Sequence, residues 1–487
     1  MNLQFHNQLT KSVDTFSPIE AGRVTLYTCG PTVYNYPTVG NWASYIYWDT
    51  LVRLLTSSGL EVTRVMNITD VGHLVSDADD GEDKLETGAR REGKTAWEVA
   101  QFYTEDFLQG MDTLNLIRPT HLPKATEYIP QQLALVRILK DKGFTYQISD
   151  GIYFDTSKFP TYDDFAGLHL DEQRAGARVE YNPEKRNPSD FALWKFTPVG
   201  ETRDMQWDTP IEILEEENSR PGFPGWHLEC SAMAMSLLGT TIDIHTGGID
   251  HIPVHHTNEI AQSEAASGQK FAKFWLHNNH LKVDGTKISK SLGNGYTLTD
   301  IIDRGFDPLD LRLLVLQGHY RTEGNFTFEN LQAARNRRTN WRNVAALRHQ
   351  MHDTIESTAD IEHDSSTISL YAAGSTLIDT LGNDLDTVAV LAHIDEVFAH
   401  VLSERLDNIH RHAFITYLET IDALLGLRLI DTTPDITDNQ KRLILERTRA
   451  RENNNYARSD ELRDELAATG IAVRDTTSGV IWEYTKN

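Results

Sequence analysis

Cysteine is nearly absent from this chain: Cys29 and Cys230 are the only two among 487 residues. So thin a supply excludes a small scaffold stapled by several disulfides. On composition alone a single bridge, two inert buried thiols, or two ligands of one metal all stay open. No run approaches the roughly eighteen apolar residues of a membrane-crossing helix, and no membrane association is expected. The first twenty residues lack the apolar core of a secretory signal, so the expected compartment is the cytoplasm. Positive charge is also short: 46 Lys and Arg against 71 Asp and Glu leave a formal net charge of −25. A uniformly phosphate-attracting surface is thereby excluded, although local basic stretches are not. The chain also lacks G-x-G-x-x-G, which removes the dinucleotide fingerprint, and H-E-x-x-H, which argues against a metalloprotease. The acidic run Asp77 to Glu86 does not fit the EF-hand register and reads as a solvated loop.

What is present begins with strand, turn, helix and strand in the first 70 residues. Val24 to Cys29 is β-rich and stops at Gly30-Pro31; Trp42 to Ser57 has helical apolar periodicity; Val62 to Ile68 returns to strand. A β-α-β unit predicts a parallel sheet with ligand chemistry at the carboxyl ends of its strands. The texture changes over 122–224, where short segments with scattered Pro, Asp and Gly suggest an insertion. Thr241 to His245 is a second strand signal. From about Leu331 helical patterns dominate, and the proline-bearing stretch Asp431 to Asp438 sets off a compact C-terminal piece. The expected segments are therefore 1–121, 122–224, 225–330, 331–430 and 431–487.

Two strings carry chemistry. In His255-His256-Thr257-Asn258-Glu259, helical spacing puts His255 and Glu259 on one face, where both can reach one ion, and points His256 elsewhere. Surface pairing is the bland explanation of that spacing. Lys287-Ile288-Ser289-Lys290-Ser291 makes a basic loop able to neutralise a polyphosphate. Thr38-Val39-Gly40-Asn41 is a small-residue turn feeding a helix N-terminus, where free amides and the helix dipole favour anions.

Together these strings resemble the paired signatures of class I aminoacyl-tRNA synthetases, with Ile288 for Met in K-M-S-K-S and Thr38 to Asn41 in place of H-I-G-H. The blocks Cys29 to Tyr34, Asn67 to Asp70, Gly225 to Met233 and His255 to Gln262 narrow the resemblance to the cysteinyl-tRNA synthetase family. The resemblance runs in order from Leu3 to Trp482. It implies an α/β fold: a Rossmann-type parallel-sheet catalytic domain with an insertion, an α-helical anticodon-binding region and a small C-terminal domain. It also implies activation of L-cysteine by ATP with Mg²⁺, transfer to tRNA(Cys), and a zinc ion held by Cys29, Cys230, His255 and Glu259. Zinc would separate cysteine from serine, which differ too little in shape for a pocket to discriminate strongly. Lys287 and Lys290 would stabilise pyrophosphate. Thr38, Gly40 and Asn41 would hold ATP, with Asp250 a partner for its ribose. Trp226 would wall the amino-acid pocket beside Thr69. Thr38 departs from the family's first signature His, replacing a chargeable ring with a hydroxyl. Simple core packing is the alternative for Trp226.

By the same resemblance Arg451, Tyr456, Asp460 and Asp475 fall at anticodon-reading positions, with Tyr456 keeping a stacking surface where the family has Trp. Arg335, Arg338 and Arg342 would form a stripe on the tRNA backbone. A solvated helix face explains either basic stretch taken alone. A monomer is expected. Two rival readings are a ligase joining cysteine to an amino-sugar, which lacks an extended anticodon region, and a silent tRNA-binding paralogue.

Overall fold

The computed structural model describes residues 2–72, 83–167, 182–215, 219–289, 292–351, 365–476 and 479–485. The chain forms two compact units. One comprises Gln4–Asp300 with Tyr320–Asn325, the other Ile301–His319 and Phe326–Asn487 with the first three residues. The division falls about thirty residues before the expected boundary at 331. The Pro308–Leu316 helix, whose leucines are buried, belongs with the helical unit.

In the first unit a four-stranded parallel sheet runs in the order Ala272–Asn278, Ile242–Gly248, Arg23–Thr28, Glu61–Met66. Residues His121 and Lys124 extend it through parallel bridges to Val65 and Ile68. From Arg23–Thr28 the chain proceeds outward to Glu61–Met66, and from Ile242–Gly248 outward the other way to Ala272–Asn278. The strand order therefore reverses between the two central strands, and in open α/β sheets ligands bind in the crevice at such a switch point. The helix Val39–Ser57 joins the first two strands of the sheet. It starts where Thr38 is extended and the Asn41 Oδ1 accepts from both the Thr38 N–H and its hydroxyl at 2.9 Å. Trp42, Ile46, Leu51, Leu54 and Leu55 bury its inner face, as the periodicity predicts.

The insertion holds a five-stranded antiparallel sheet, including Gly151–Phe154, Phe191–Phe196 and Pro221–Pro224. Phe154, Leu193 and Trp194 pack there with Leu135 and Leu139 of the helix Ile129–Asp141. Its strands are short, so alternation gave little sign of a sheet. The acidic run is corrected in part. Asp83 is buried, caps the helix Lys84–Glu92 through the Leu85 and Glu86 N–H groups, and pairs with Arg203. Residues 77–82 lie outside the described residues.

The second unit stacks the helices Phe328–Ala346, Ser365–Leu381, Thr387–Ser403 and Arg411–Leu425. It ends in helices Asp438–Glu452 and Tyr456–Ala468 and an antiparallel hairpin, Ile471–Thr476 with Gly479–Tyr484. Leu443, Leu462, Leu466 and Val473 make the small core of this last piece. Among the described residues no helix is long and apolar enough to cross a membrane.

Candidate active site and metal centre

The carboxyl ends of the two central strands open onto a crevice of about 630 Å³. Cys29 follows the first strand directly, and its N–H donates to the Thr246 carbonyl at 3.1 Å. Strand pairing thus fixes the Cys29 backbone at the switch point. Cys230 lies in the first turns of the helix Trp226–Leu238, which Gly225 anchors by donating its N–H to Leu193. His255 and Glu259 straddle the junction between a wide turn, Ile252–His256, and the helix Thr257–Ser267.

One ligand atom each of Cys29, Cys230, His255 and Glu259 lies within 4.8 Å of all the others. Tetrahedral zinc with ordinary Zn–S and Zn–N or Zn–O bonds needs separations of roughly 3.3–3.8 Å, so small side-chain movements suffice. The donors fit in kind as well: two thiols, an imidazole and a carboxylate, three of them buried. His255 Nδ1 is 2.9 Å from His227 Nδ1, and its Nε2 is 3.0 Å from Glu259 Oε1. The second ring nitrogen of this candidate ligand is therefore held from behind. Burial works against ionised Glu259, yet His245 and His255 hold its carboxyl down to about 2. Burial likewise opposes a charged His255, but Glu259 and Cys230 push it up to about 10. A dication among the four donors would supply the positive charge that a proton on His255 otherwise provides.

His256 is a correction. It was expected to point away, on the assumption of a regular helix. The wide turn adds a residue to the turn before Thr257, and His256 Nε2 comes to 3.2 Å from Cys29 Sγ. Cys29, His245, His256 and Glu259 form a second possible donor group, with His245 Nε2 2.9 Å from Glu259 Oε2. His277 backs His256 at 2.7 Å. Sequence alone did not mark this layer of buried imidazoles, in which His245 figured only as the last residue of a strand signal. The available signal was a histidine at or near the carboxyl end of each of two sheet strands. Gly247 belongs to the same packing, because a Cβ there would come within 2.6 Å of both His251 and His256.

The opposite wall brings the two phosphate strings together. Thr38, Gly40, Asn41 and Lys287 all line the crevice. A Cβ on Gly40 would sit 2.8 Å from Ile288 Cδ1, so the missing side chain lets the basic loop lie against the helix N-terminus. Lys290 lies outside the described residues. Trp226, Thr69 and Asp250 also line the crevice, and the Trp226 ring centre is 5.2 Å from that of His255. Trp226 therefore walls the crevice instead of serving only as core.

The family described as tRNA synthetases class I (C) catalytic domain matches residues 15–336, and the cysteinyl-tRNA ligase anticodon binding domain matches residues 433–482. The chain belongs to the cysteine–tRNA ligase family. A cysteine–tRNA ligase of Treponema denticola is 38% identical over 99% of this chain and 100% of its own length. Cysteine–tRNA ligase 1 of Burkholderia lata is 40% identical over 98% of this chain and 96% of its own. The fold is shared with the methionyl-tRNA synthetase of Mycobacterium tuberculosis, at TM-score 0.58 and 13% identity over 86% of this chain and 95% of that one.

In the family's anticodon-binding portion, the helix Asp438–Glu452 carries Arg447 and Arg451 toward Asp475 of the hairpin. Arg447 Nη1 and Nη2 each donate to the Asp475 carboxylate at 3.0 Å, and Arg451 Nη2 is 3.4 Å away. Hydrogen bonding to Arg447 lowers the Asp475 carboxyl from its ordinary value. Sequence alone did not mark Arg447 as a clamp, because Asp475 lies 28 residues away. Tyr456 is exposed at the start of its helix, and Asp460 pairs with Arg463 at 3.2 Å. The expected backbone stripe changes character. Arg338 is buried between Asp307 at 2.9 Å and Asp310 at 3.1 Å, and Arg342 donates to the Thr432 carbonyl at 2.8 Å. These two guanidiniums are occupied inside the unit, because the helix turns them toward its neighbours. Arg335 lies over the Phe306 ring at 5.5 Å.

Proposed function

We propose that this chain is a cysteine–tRNA ligase whose zinc, held by Cys29, Cys230, His255 and Glu259, reads the sulfur of the substrate. The observation that carries the reading is the convergence of those four donors, with Cys29, Cys230 and His255 lining a crevice also lined by Thr38, Asn41 and Lys287. Bound there, zinc would supply a soft Lewis acid that favours a thiolate over a serine hydroxyl.

The chain's own residues do the rest by placement. The helix N-terminus at Thr38 to Asn41 presents the positive end of its dipole to the phosphates of ATP. The substrate carboxylate attacks the α-phosphate, and Lys287 with Lys290 stabilises the charge that builds on departing pyrophosphate, Mg²⁺ accompanying the nucleotide. Asp250 takes the ribose hydroxyls, and Trp226 with Thr69 bounds the amino acid. No protein nucleophile is needed, because the step is a transfer between two bound substrates. The adenylate then passes its acyl group to the terminal ribose hydroxyl of tRNA(Cys). Arg451, Tyr456, Asp460 and Asp475 read the anticodon, and Arg335 faces the tRNA backbone. All four proposed zinc donors come from one chain, so a monomer in the cytoplasm is sufficient.

ATP–pyrophosphate exchange with cysteine and with serine, followed by charging of purified tRNA, tests this reading. Chelation of the metal is expected to lower cysteine-dependent exchange by about 100-fold or more, with recovery on adding zinc. Metal-free enzyme that still prefers cysteine to serine as strongly as before would overturn the sulfur-reading role. Exchange without charging would favour an amino-sugar acceptor, and absence of exchange the silent paralogue.

A further inference from the structure

Beside the metal donors, a chain of four polar groups runs from the backbone into the interior. The Gly30 N–H donates to Asn67 Oδ1 at 2.8 Å. Only an oxygen can accept there, so the amide is oriented with Nδ2 away from Gly30. That Nδ2 donates to Thr69 Oγ1 at 2.9 Å, and the Thr69 hydroxyl donates to Glu229 Oε2 at 3.0 Å. Asn67 and Thr69 are each 2% exposed and Glu229 is 0% exposed. Glu229 sits one residue before Cys230, on the face of the helix Trp226–Leu238 turned to the sheet.

A hydroxyl has one proton and two lone pairs. At Thr69 the proton is committed to Glu229, and one lone pair receives the Asn67 N–H. One lone pair remains, and Thr69 lines the crevice beside Cys29, Cys230 and Trp226. The group presented to a ligand is therefore an acceptor and not a donor. Behind it stands the buried Glu229 carboxyl group, whose Oε2 accepts the Thr69 proton. An acceptor backed by a carboxyl group disfavours an anion in front of Thr69. Of the groups on an amino acid whose sulfur lies at the metal donors, the ammonium is the one with protons to give and charge of the right sign.

We infer that Glu229 is a positioning residue that fixes the Thr69 hydroxyl as an acceptor for the α-ammonium of the amino-acid substrate. The inference rests on the cysteine-activating role proposed above and adds a second point of recognition, independent of sulfur. A molecule that keeps thiol and carboxylate but lacks the amine should gain nothing from it.

The test uses the zinc-loaded full chain in ATP–pyrophosphate exchange, with 3-mercaptopropionate as a competitor that lacks the ammonium. Glu229→Met removes the acceptor for the Thr69 proton at similar volume. It is expected to raise KM for cysteine about 10- to 100-fold, with little change in kcat or in KM for ATP. Zinc content and the inhibition constant of 3-mercaptopropionate should stay at wild-type values. Glu229→Gln keeps an acceptor oxygen and should recover most of the loss. Should Glu229→Met not fold, Thr69→Val is expected to give the same pattern and Thr69→Ser near wild-type behaviour. The double variant should be no worse than Thr69→Val alone. Equal weakening of cysteine and 3-mercaptopropionate, additive losses in the double variant, or unchanged KM for cysteine would each overturn the inference. Wild-type enzyme without cysteine-dependent exchange would instead sink the parent reading, a separate result.

Discussion

The sheet-end crevice and the C-terminal piece both bring ionisable side chains together, but they hold them differently. In the crevice, Cys230, His255, His256, Glu259 and Glu229 are all buried, and each polar group rests on the next. In the C-terminal piece Tyr456 is 58% exposed, and the Asp460–Arg463 pair stands in solvent. Among the described ion pairs of that piece, only the Arg447 clamp on Asp475 has a buried member. Low dielectric and mutual contact make each crevice residue depend on its neighbours, whereas exposed ion pairs contribute little and act almost separately. The first region is built as a unit, the second as a set of independent presentations.

Substitutions at three positions can break or sharpen that contrast. The largest effect is expected in the crevice wall. Lys287→Ala should lower cysteine-dependent ATP–pyrophosphate exchange by about 100- to 1,000-fold, because a charge aimed at the leaving group is lost. Zinc content, measured by elemental analysis, should not change; a fall of less than about threefold would remove Lys287 from the mechanism. Next comes the clamp: Arg447→Ala frees Asp475 and should lower kcat/KM for tRNA in the charging assay about tenfold, a charge-assisted pair being lost. Exchange without tRNA should be unaffected, and an equal fall in both assays would show that the two regions are not separable. Smallest is Tyr456→Phe, which keeps the stacking face and loses only the hydroxyl bonded to Asn454 at 3.3 Å. Charging should change by less than about twofold, while Tyr456→Ala costs roughly tenfold or more through lost stacking.

The same contrast explains what could be read in advance. Val24 to Cys29 and Thr241 to His245 announced strands through their β-rich composition, and Trp42 to Ser57 announced a helix through its apolar periodicity. His255 and Glu259 were legible as a pair from helical spacing, and Cys29 and Cys230 joined them through the surrounding motifs. His256 was misplaced because spacing arguments assume 3.6 residues per turn, and the Ile252–His256 turn is wider. Arg338 and Arg342 were misassigned because composition reports charge without direction. Their partners Asp310 and Thr432 lie 28 and 90 residues away in sequence. The Glu229–Thr69 contact spans 160 residues, and no local pattern could have marked it.

The strand order has one more consequence, for how such a protein is made. Cys29 and Cys230 stand 201 positions apart, and the whole insertion is synthesised between them. Their meeting requires the Ile242–Gly248 strand to dock beside Arg23–Thr28, one of the last parallel pairings the sheet can complete. A metal bound by these residues therefore cannot seed folding as it does in a zinc finger. It would arrive at a nearly finished domain and stabilise it by mass action. Metal-starved cells would then accumulate a folded, loosened apoprotein instead of an unfolded chain.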